Sequence, residues 1–207
     1  GVDGPTHHGT QDIALMRSLP NMTIYNPADA VTASAVVQQA YQNRRPAYIR
    51  LDKDQHKPLY SAETQDFSVG LATVVSGQDM TLITTGIYVH AAVQIAQHLN
   101  QEGISVRVID LYRIKPSNDL ILKKVLQEAR YLVTLEEHSA IGGIGSLIAE
   151  LIAEAGLAVP FKKIALPDTF YLGSASRDWG QDQYGLSAEK VAIALKQLIA
   201  ARSHPCS

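Results

Sequence analysis

Cysteine is nearly missing from this sequence of 207 residues: Cys206, beside the C-terminus, is the only one. A lone thiol excludes a disulfide within the chain and argues against a Cys-based metal site, as suits a reducing cytoplasm. Long hydrophobic runs are missing too. No apolar stretch approaches the ~18 residues of a membrane span, and no basic-then-apolar leader opens the chain. Neither sign of charge dominates, since 18 Lys and Arg face 20 Asp and Glu for a formal charge of -2. The basic residues are scattered and few aromatics stand among them, so there is no nucleic-acid footprint. These absences predict a soluble, cytoplasmic protein with neither nucleic acid nor membrane as a partner. Methionine is lacking at position 1, where Gly1 opens straight into a loop dense in functional groups. That start predicts a fragment, a processed product or the ordered part of a longer polypeptide.

What is plentiful is apolar. At 46% of residues, it is enough to bury a core in one large domain or in one and a half ordinary ones. The opening stretch, Gly1-Val-Asp3-Gly-Pro-Thr-His7-His8-Gly-Thr-Gln-Asp12, crowds turn formers and titratable groups in front of an apolar-periodic run. Loops of that kind are where binding chemistry concentrates.

Taken in order, Thr10 is positioned to cap a short helix carrying Ile13, Met16 and Leu19, with Asp12 at its positive end and Pro20 closing it. Met22 to Tyr25 reads as a buried strand. Asn26 as cap, Pro27 at the first helical position and Asp29 predict a helix running to Gln42, and Tyr48 to Leu51 is the next strand. Two strands and two helices are too few to close a doubly wound sheet and bury little alone, so residues 1–52 are incomplete as a unit. Residues 53–66 are polar, carry a proline and lack periodicity, as an interdomain linker does.

Residues 67–207 alternate more fully. Strands are predicted at Phe67 to Val75 (an edge), Thr81 to Thr84, Val106 to Ile109, Tyr131 to Leu135 and Phe161 to Ala165. Between them fall helices with apolar stripes at Val89 to Leu99, Leu120 to Val125 (capped by Ser117) and Ile144 to Ile152. A turn-rich segment from Leu166 to Gly185 comes next, then a final helix with Val191, Leu195 and Leu198, capped by Ser187. This alternation predicts an α/β fold with a mainly parallel sheet covered by helices.

Two sets of residues then carry a resemblance. Asp3-Gly-Pro-Thr-His7, Asp12-Ile-Ala-Leu-Met-Arg-Ser-Leu-Pro-Asn21 and Pro27-Ala-Asp29 resemble the second half of the pyrimidine-binding domain of the thiamine-diphosphate transketolases and their relatives, the 1-deoxyxylulose-5-phosphate synthases. Thr81-Leu-Ile-Thr-Thr-Gly86, Val108-Ile-Asp-Leu-Tyr-Arg-Ile-Lys-Pro116 and Leu135-Glu-Glu-His138 with Gly142-Gly-Ile-Gly-Ser146 resemble the transketolase C-terminal domain. The resemblance implies the end of a pyrimidine-binding domain at 1–52, a linker at 53–66 and a C-terminal domain at 67–207.

The same resemblance implies a two-carbon ketol transfer between sugar phosphates, made possible by the cofactor's thiazolium carbon, with a protein that holds several hydroxyls and a distal phosphate in register. Asp3 would accept a hydrogen bond from a sugar hydroxyl, and His7 would stand beside it near the reacting carbons. His8 would contribute to the lining, and Arg50, at the end of its strand, would grip the substrate phosphate. Other roles stay open on the residues alone: Asp3 as an Asx-turn former, His7 as a loop packer, Arg50 as the partner of Asp52 or Asp54. The Gly142–Ser146 loop lacks the spacing of a dinucleotide fingerprint, and with Glu136, Glu137 and His138 it reads as structural or interfacial.

Thiamine diphosphate and a divalent metal (Mg or Ca) are implied as cofactors, bound mainly by residues absent from this sequence, so the chain alone is expected to be inactive. The implied partner is the N-terminal part or subunit of the same enzyme, in a homodimer or heterotetramer. Three further readings stand beside the transketolase one: a 1-deoxyxylulose-5-phosphate synthase, favoured by His7-His8-Gly9; the beta subunit of a 2-oxoacid dehydrogenase; and a non-catalytic interaction module derived from this fold.

Overall fold

The computed structural model describes residues 7–52, 56–170 and 176–203. Its centre is a five-stranded sheet made of β3 (Ala72–Val75), β4 (Met80–Thr84), β5 (Val106–Asp110), β7 (Leu132–Ser139) and β8 (Phe161–Leu166), in the order β3-β5-β4-β7-β8. The last four are parallel, and β3 runs antiparallel to β5 at the edge. The α/β expectation and the mainly parallel sheet are therefore met.

Side-chain alternation explains why helices cover both faces. Leu82, Val106, Val108, Val133 and Leu135 point to one side, where α3 (Tyr88–Gln101) and α7 (Ala188–Ser203) pack on them through residues such as Ala92, Leu99, Val191 and Leu195. Ile83, Ile109 and Leu132 point to the other, against α4 (Asp119–Glu128) and α5 (Ile144–Glu154). A parallel sheet buried on both faces needs apolar residues at nearly every position, and β4 is buried throughout. Among the described residues no helix is long and apolar enough to cross a membrane.

The first section is α1 (Asp12–Ser18), β1 (Thr23–Tyr25), α2 (Ala30–Asn43) and β2 (Ala47–Ile49). It does not stand alone. Ile13 and Ile24 join the apolar cluster of α4 and α5, and β1 pairs in parallel with β2 on one side and antiparallel with β6 (Arg113–Lys115) on the other. A strand from residues 113–115 thus joins the first sheet beside β1.

Several local expectations need correction. Residues Phe67–Val69 form a 3-10 turn, and the edge strand starts only at Ala72. The cap of α2 is Asp29, whose carboxylate accepts the Thr32 N–H at 2.8 Å. Asn26 is drawn elsewhere: its N–H donates to Tyr112 O at 2.9 Å and its carbonyl accepts the Gly86 N–H at 3.2 Å. Gly86 has φ +61°, and a Cβ there would lie 2.5 Å from Asn26 Oδ1, so only glycine permits this approach. At α1 the cap position is Gln11 rather than Thr10, with Asp12 accepting the Ile13 N–H. At α4 it is Asn118 rather than Ser117. A helix that no apolar stripe announces, α6 (Arg177–Gln183), lies within the turn-rich segment and is capped by Ser176.

Candidate functional site

Arg50 leaves the end of β2 with its N–H donating to Tyr25 O at 2.9 Å, which fixes the backbone on β1. Its side chain is largely buried and runs to Asp12, with Nε 3.0 Å from Oδ2. Nη2 donates to the Glu137 carbonyl at 3.2 Å and reaches Gly9 O at 3.5 Å. Nη1 is engaged by none of the described residues. Asp52 is not the partner of Arg50, and Asp54 lies outside the described residues.

The same Asp12 oxygen accepts from the Tyr48 hydroxyl at 2.7 Å. Burial, with help from that bond to an anion, pushes the Tyr48 phenol up to about 12. One carboxylate at the start of α1 therefore orients both the phenol and the guanidinium of β2. Behind it, His138 is fully buried. Its Nε2 accepts the Ala14 N–H at 3.3 Å, so the proton sits on Nδ1, which donates to Ser139 O at 2.9 Å. Burial lowers the imidazole pKa and keeps this neutral form.

The role of the glycine loop is set by Glu136. That buried carboxylate accepts the Ile144 N–H at 2.7 Å and the Gly145 N–H at 2.8 Å, filling the anion site at the start of α5. Burial pushes Glu136 up to about 7 even though both amides, Arg50 and Lys163 favour its charged form. The loop therefore cradles a side chain of its own protein. Glu137 points the other way, to Arg177 and Gln181 on α6.

Of the residues expected to touch substrate, Asp3 lies outside the described residues. His7 is exposed and His8 half-buried, and His8 lines a small hollow with Thr10, Leu166, Phe170 and Tyr184. Arg50 meets their loop through Gly9 O. Asp12 falls in the opening stretch without a site role, and Tyr48 and Arg177 carry no mark of a site residue in the sequence, because their partners lie on other elements and no local spacing reveals them.

The donor set bears on thiamine diphosphate and its metal. Among the described residues no three His, Cys, Asp or Glu side chains come together as a cation site. The helix N-terminus with a glycine loop is filled by Glu136, and Asp12, Asp52 and Glu137 are each paired with an arginine. The described residues therefore do not fit the metal and diphosphate end of the cofactor.

Comparison with known proteins gives these observations a family. The sequence matches the model of the transketolase pyrimidine-binding domain over residues 1–58 and that of the transketolase C-terminal domain over residues 70–191. It is 34% identical over 194 residues to a protein named as a transketolase C-terminal section from Methanocaldococcus jannaschii, covering 93% of this chain and 60% of the relative. It is 32% identical over 191 residues to one of the subunits of an apulose-4-phosphate transketolase from Phocaeicola vulgatus, covering 90% and 61%. Among solved structures, a split gene transketolase described as an inactive beta4 tetramer superposes with a TM-score of 0.86 at 34% identity, over 95% of this chain and 64% of that one. The chain thus spans about three fifths of the length of these two curated relatives. With both domain models matched in order and the fold shared, this chain belongs to the transketolase family.

Proposed function

We propose that this chain is the C-terminal part or subunit of a thiamine-diphosphate-dependent transketolase that moves a two-carbon ketol unit between sugar phosphates. Its domains in this reading are the end of the pyrimidine-binding domain (1–52), a connector (53–66) and the C-terminal domain (67–207). The cofactor, with its divalent metal, is held mainly by residues of an N-terminal part or partner subunit. Thiamine chemistry makes and breaks carbon–carbon bonds beside a carbonyl. The task left to this chain is to orient the sugar.

The observation that carries the reading is the anchoring of Arg50. A guanidinium held by Asp12 through Nε and by main-chain oxygens through Nη2 is pre-oriented, and its Nη1 edge, which no described residue engages, can meet a ligand oxygen. The loop that supplies Gly9 O also bears His7 and His8. In this reading Arg50 takes the phosphate, His7 donates to an oxygen near the reacting carbons and His8 lines the entrance, while Asp3, outside the described residues, is assigned as the acceptor of a sugar hydroxyl. Fixing a charged tail away from the reacting bond lets binding energy align that bond.

The test is reconstitution with the N-terminal part, supplied from the upstream reading frame or from a separate subunit. Ketol transfer from a ketose phosphate to an aldose phosphate is expected, dependent on thiamine diphosphate. Condensation of pyruvate with an aldose phosphate instead would make it a deoxyxylulose-type synthase, and no cofactor-dependent turnover with any sugar phosphate would remove the proposal.

A further inference from the structure

We infer that Arg177, on the short helix α6, is a positioning residue for Arg50 and through it tunes preference for phosphorylated substrate. The inference rests on the phosphate role proposed above for Arg50. Arg177 begins α6 and is held there by the Ser176 cap, which accepts from the Trp179 N–H. Its guanidinium reaches two chain segments that are remote in sequence. Nε donates to Glu137 Oε1 at 2.9 Å and Nη2 to Oε2, while Nη1 and Nη2 pair with the carboxylate of Asp52, the Nη2 contact being 3.2 Å. One turn later, Gln181 Nε2 donates to Glu137 Oε1 at 3.1 Å.

Those two segments are the ones that flank Arg50. Asp52 lies two residues beyond it, where β2 has ended and no ladder bond fixes the chain. Glu137 supplies the carbonyl that accepts from Arg50 Nη2. One cation therefore ties down both the exit of the Arg50 strand and the main chain that orients the Arg50 side chain. The three charged side chains are each between 17% and 27% exposed, so solvent screening is reduced and the clamp is geometrically defined. Without Arg177, Glu137 keeps only Gln181 as a side-chain donor among the described residues, and the Asp52 carboxylate loses this partner. The segment after β2 is then free to shift. A guanidinium displaced by a fraction of an ångström loses alignment with a phosphate while the reacting carbons remain served by other residues.

The test uses the assembled enzyme with Arg50→Met, Arg177→Met, the double variant and Arg177→Lys. It compares kcat and KM for a phosphorylated and an unphosphorylated ketose donor, with calorimetric binding of inorganic phosphate alongside. Arg177→Met is expected to raise KM for the phosphorylated donor about tenfold, well beyond any change in kcat, and to weaken phosphate binding in parallel. KM for the unphosphorylated donor stays near its original value. Arg177→Lys, which can hold one carboxylate but not both, recovers part of the loss. In the Arg50→Met background, Arg177→Met adds less than about twofold, because both act through one contact.

Equal losses with both donors, or full additivity with Arg50→Met, would mean a general structural role and overturn the inference. If Arg50→Met discriminates between the donors and Arg177→Met does not, only the positioning role falls. If Arg50→Met itself fails to discriminate, the phosphate reading falls and this inference with it. Should Arg177→Met not assemble, Asp52→Asn and Arg177→Lys decide by the same rule: a KM raised for the phosphorylated donor alone supports the clamp, and a uniform or absent effect overturns it.

Discussion

Arg50 Nε lies 3.0 Å from Asp12 Oδ2, an ion pair between the end of β2 and the first residue of α1 in which the two side chains are 16% and 14% exposed. The pair links the loop that carries His7 and His8 to the strand that carries the guanidinium. It also explains why Arg50 does not fold back onto Asp52, which pairs with Arg177 instead.

Asp12→Asn tests that link. The amide retains an acceptor for the Tyr48 hydroxyl but leaves Arg50 without its countercharge. Losing a charge-assisted bond of this burial costs about 2 kcal/mol, which lowers the melting temperature by roughly 4–8 °C in a chain of this size. Restoring only the charge, with Asp12→Glu, is expected to recover less than half, since the longer arm cannot meet Arg50 and Tyr48 in the same geometry. Differential scanning calorimetry of the assembled protein checks both.

Gly143→Ala is expected to be among the most damaging single-methyl changes in the molecule. A Cβ at this position would sit 2.1 Å from Glu136 Oε2 and 2.7 Å from His138 Nδ1. Neither group can retreat, because Glu136 is bound to the Ile144 and Gly145 amides and His138 to Ser139 O and the Ala14 amide. Overpacking of this kind costs about 1–3 kcal/mol, and breaking the two amide bonds adds to it. A melting temperature essentially equal to the parent's would contradict the description of this loop as a filled carboxylate cradle.

Much of this arrangement is legible in the sequence, and the exceptions share a cause. Strands β4, β5 and β7 and helices α3, α5 and α7 announce themselves because each buries a regular apolar face. Strand β6 has one buried residue, Ile114, between two cations, and pairs with β1 only because the fold brings them together. Helix α6, Arg-Asp-Trp-Gly-Gln-Asp-Gln, has no apolar stripe and buries no residue fully; what it offers is Arg177 and Gln181 to a distant carboxylate. Asn26 has the look of a cap, and tertiary demand from Gly86 and Tyr112 overrides that local preference. Arg50 stands out from its position after an extended run and from the family resemblance. Its partner Asp12 does not, since periodicity says nothing about which remote carboxylate a guanidinium meets.

Gly180→Ala is expected to stabilise. Gly180 lies inside α6 with ordinary backbone angles, and a Cβ there would meet nothing within 4 Å. Glycine in a helix interior costs about 0.5–1 kcal/mol relative to alanine through the freedom it loses on folding. The substitution should therefore slow amide exchange across α6 and raise the melting temperature slightly. Faster exchange at Gln181 to Gln183 would show that α6 needs the glycine for a reason other than space.

Asp110 is expected to contribute less to stability as pH rises. It is wholly buried at the end of β5, where its Oδ2 accepts from the Tyr60 hydroxyl at 2.8 Å. Burial pushes its carboxyl up to about 8, against the Tyr60 bond, which favours the charged form; the nearby Asp29 carboxylate raises it further. In the unfolded chain the same group has a pKa near the ordinary 3.8. The folded protein therefore holds a proton that the unfolded chain has released between these two values. The contribution of this group to stability is fully present below about pH 4 and is lost progressively as pH rises to about 8. Asp110→Asn keeps an acceptor for Tyr60 and cannot ionise, so its unfolding free energy should fall less steeply over that window. The difference between the two proteins should shift in favour of the variant by several kcal/mol from about pH 4 to about pH 8. Parallel urea titrations at intervals across that window measure it. Curves that stay parallel would mean that Asp110 is ionised in the folded state across the whole range, and that the junction of β5 with the Tyr60 segment tolerates a buried charge.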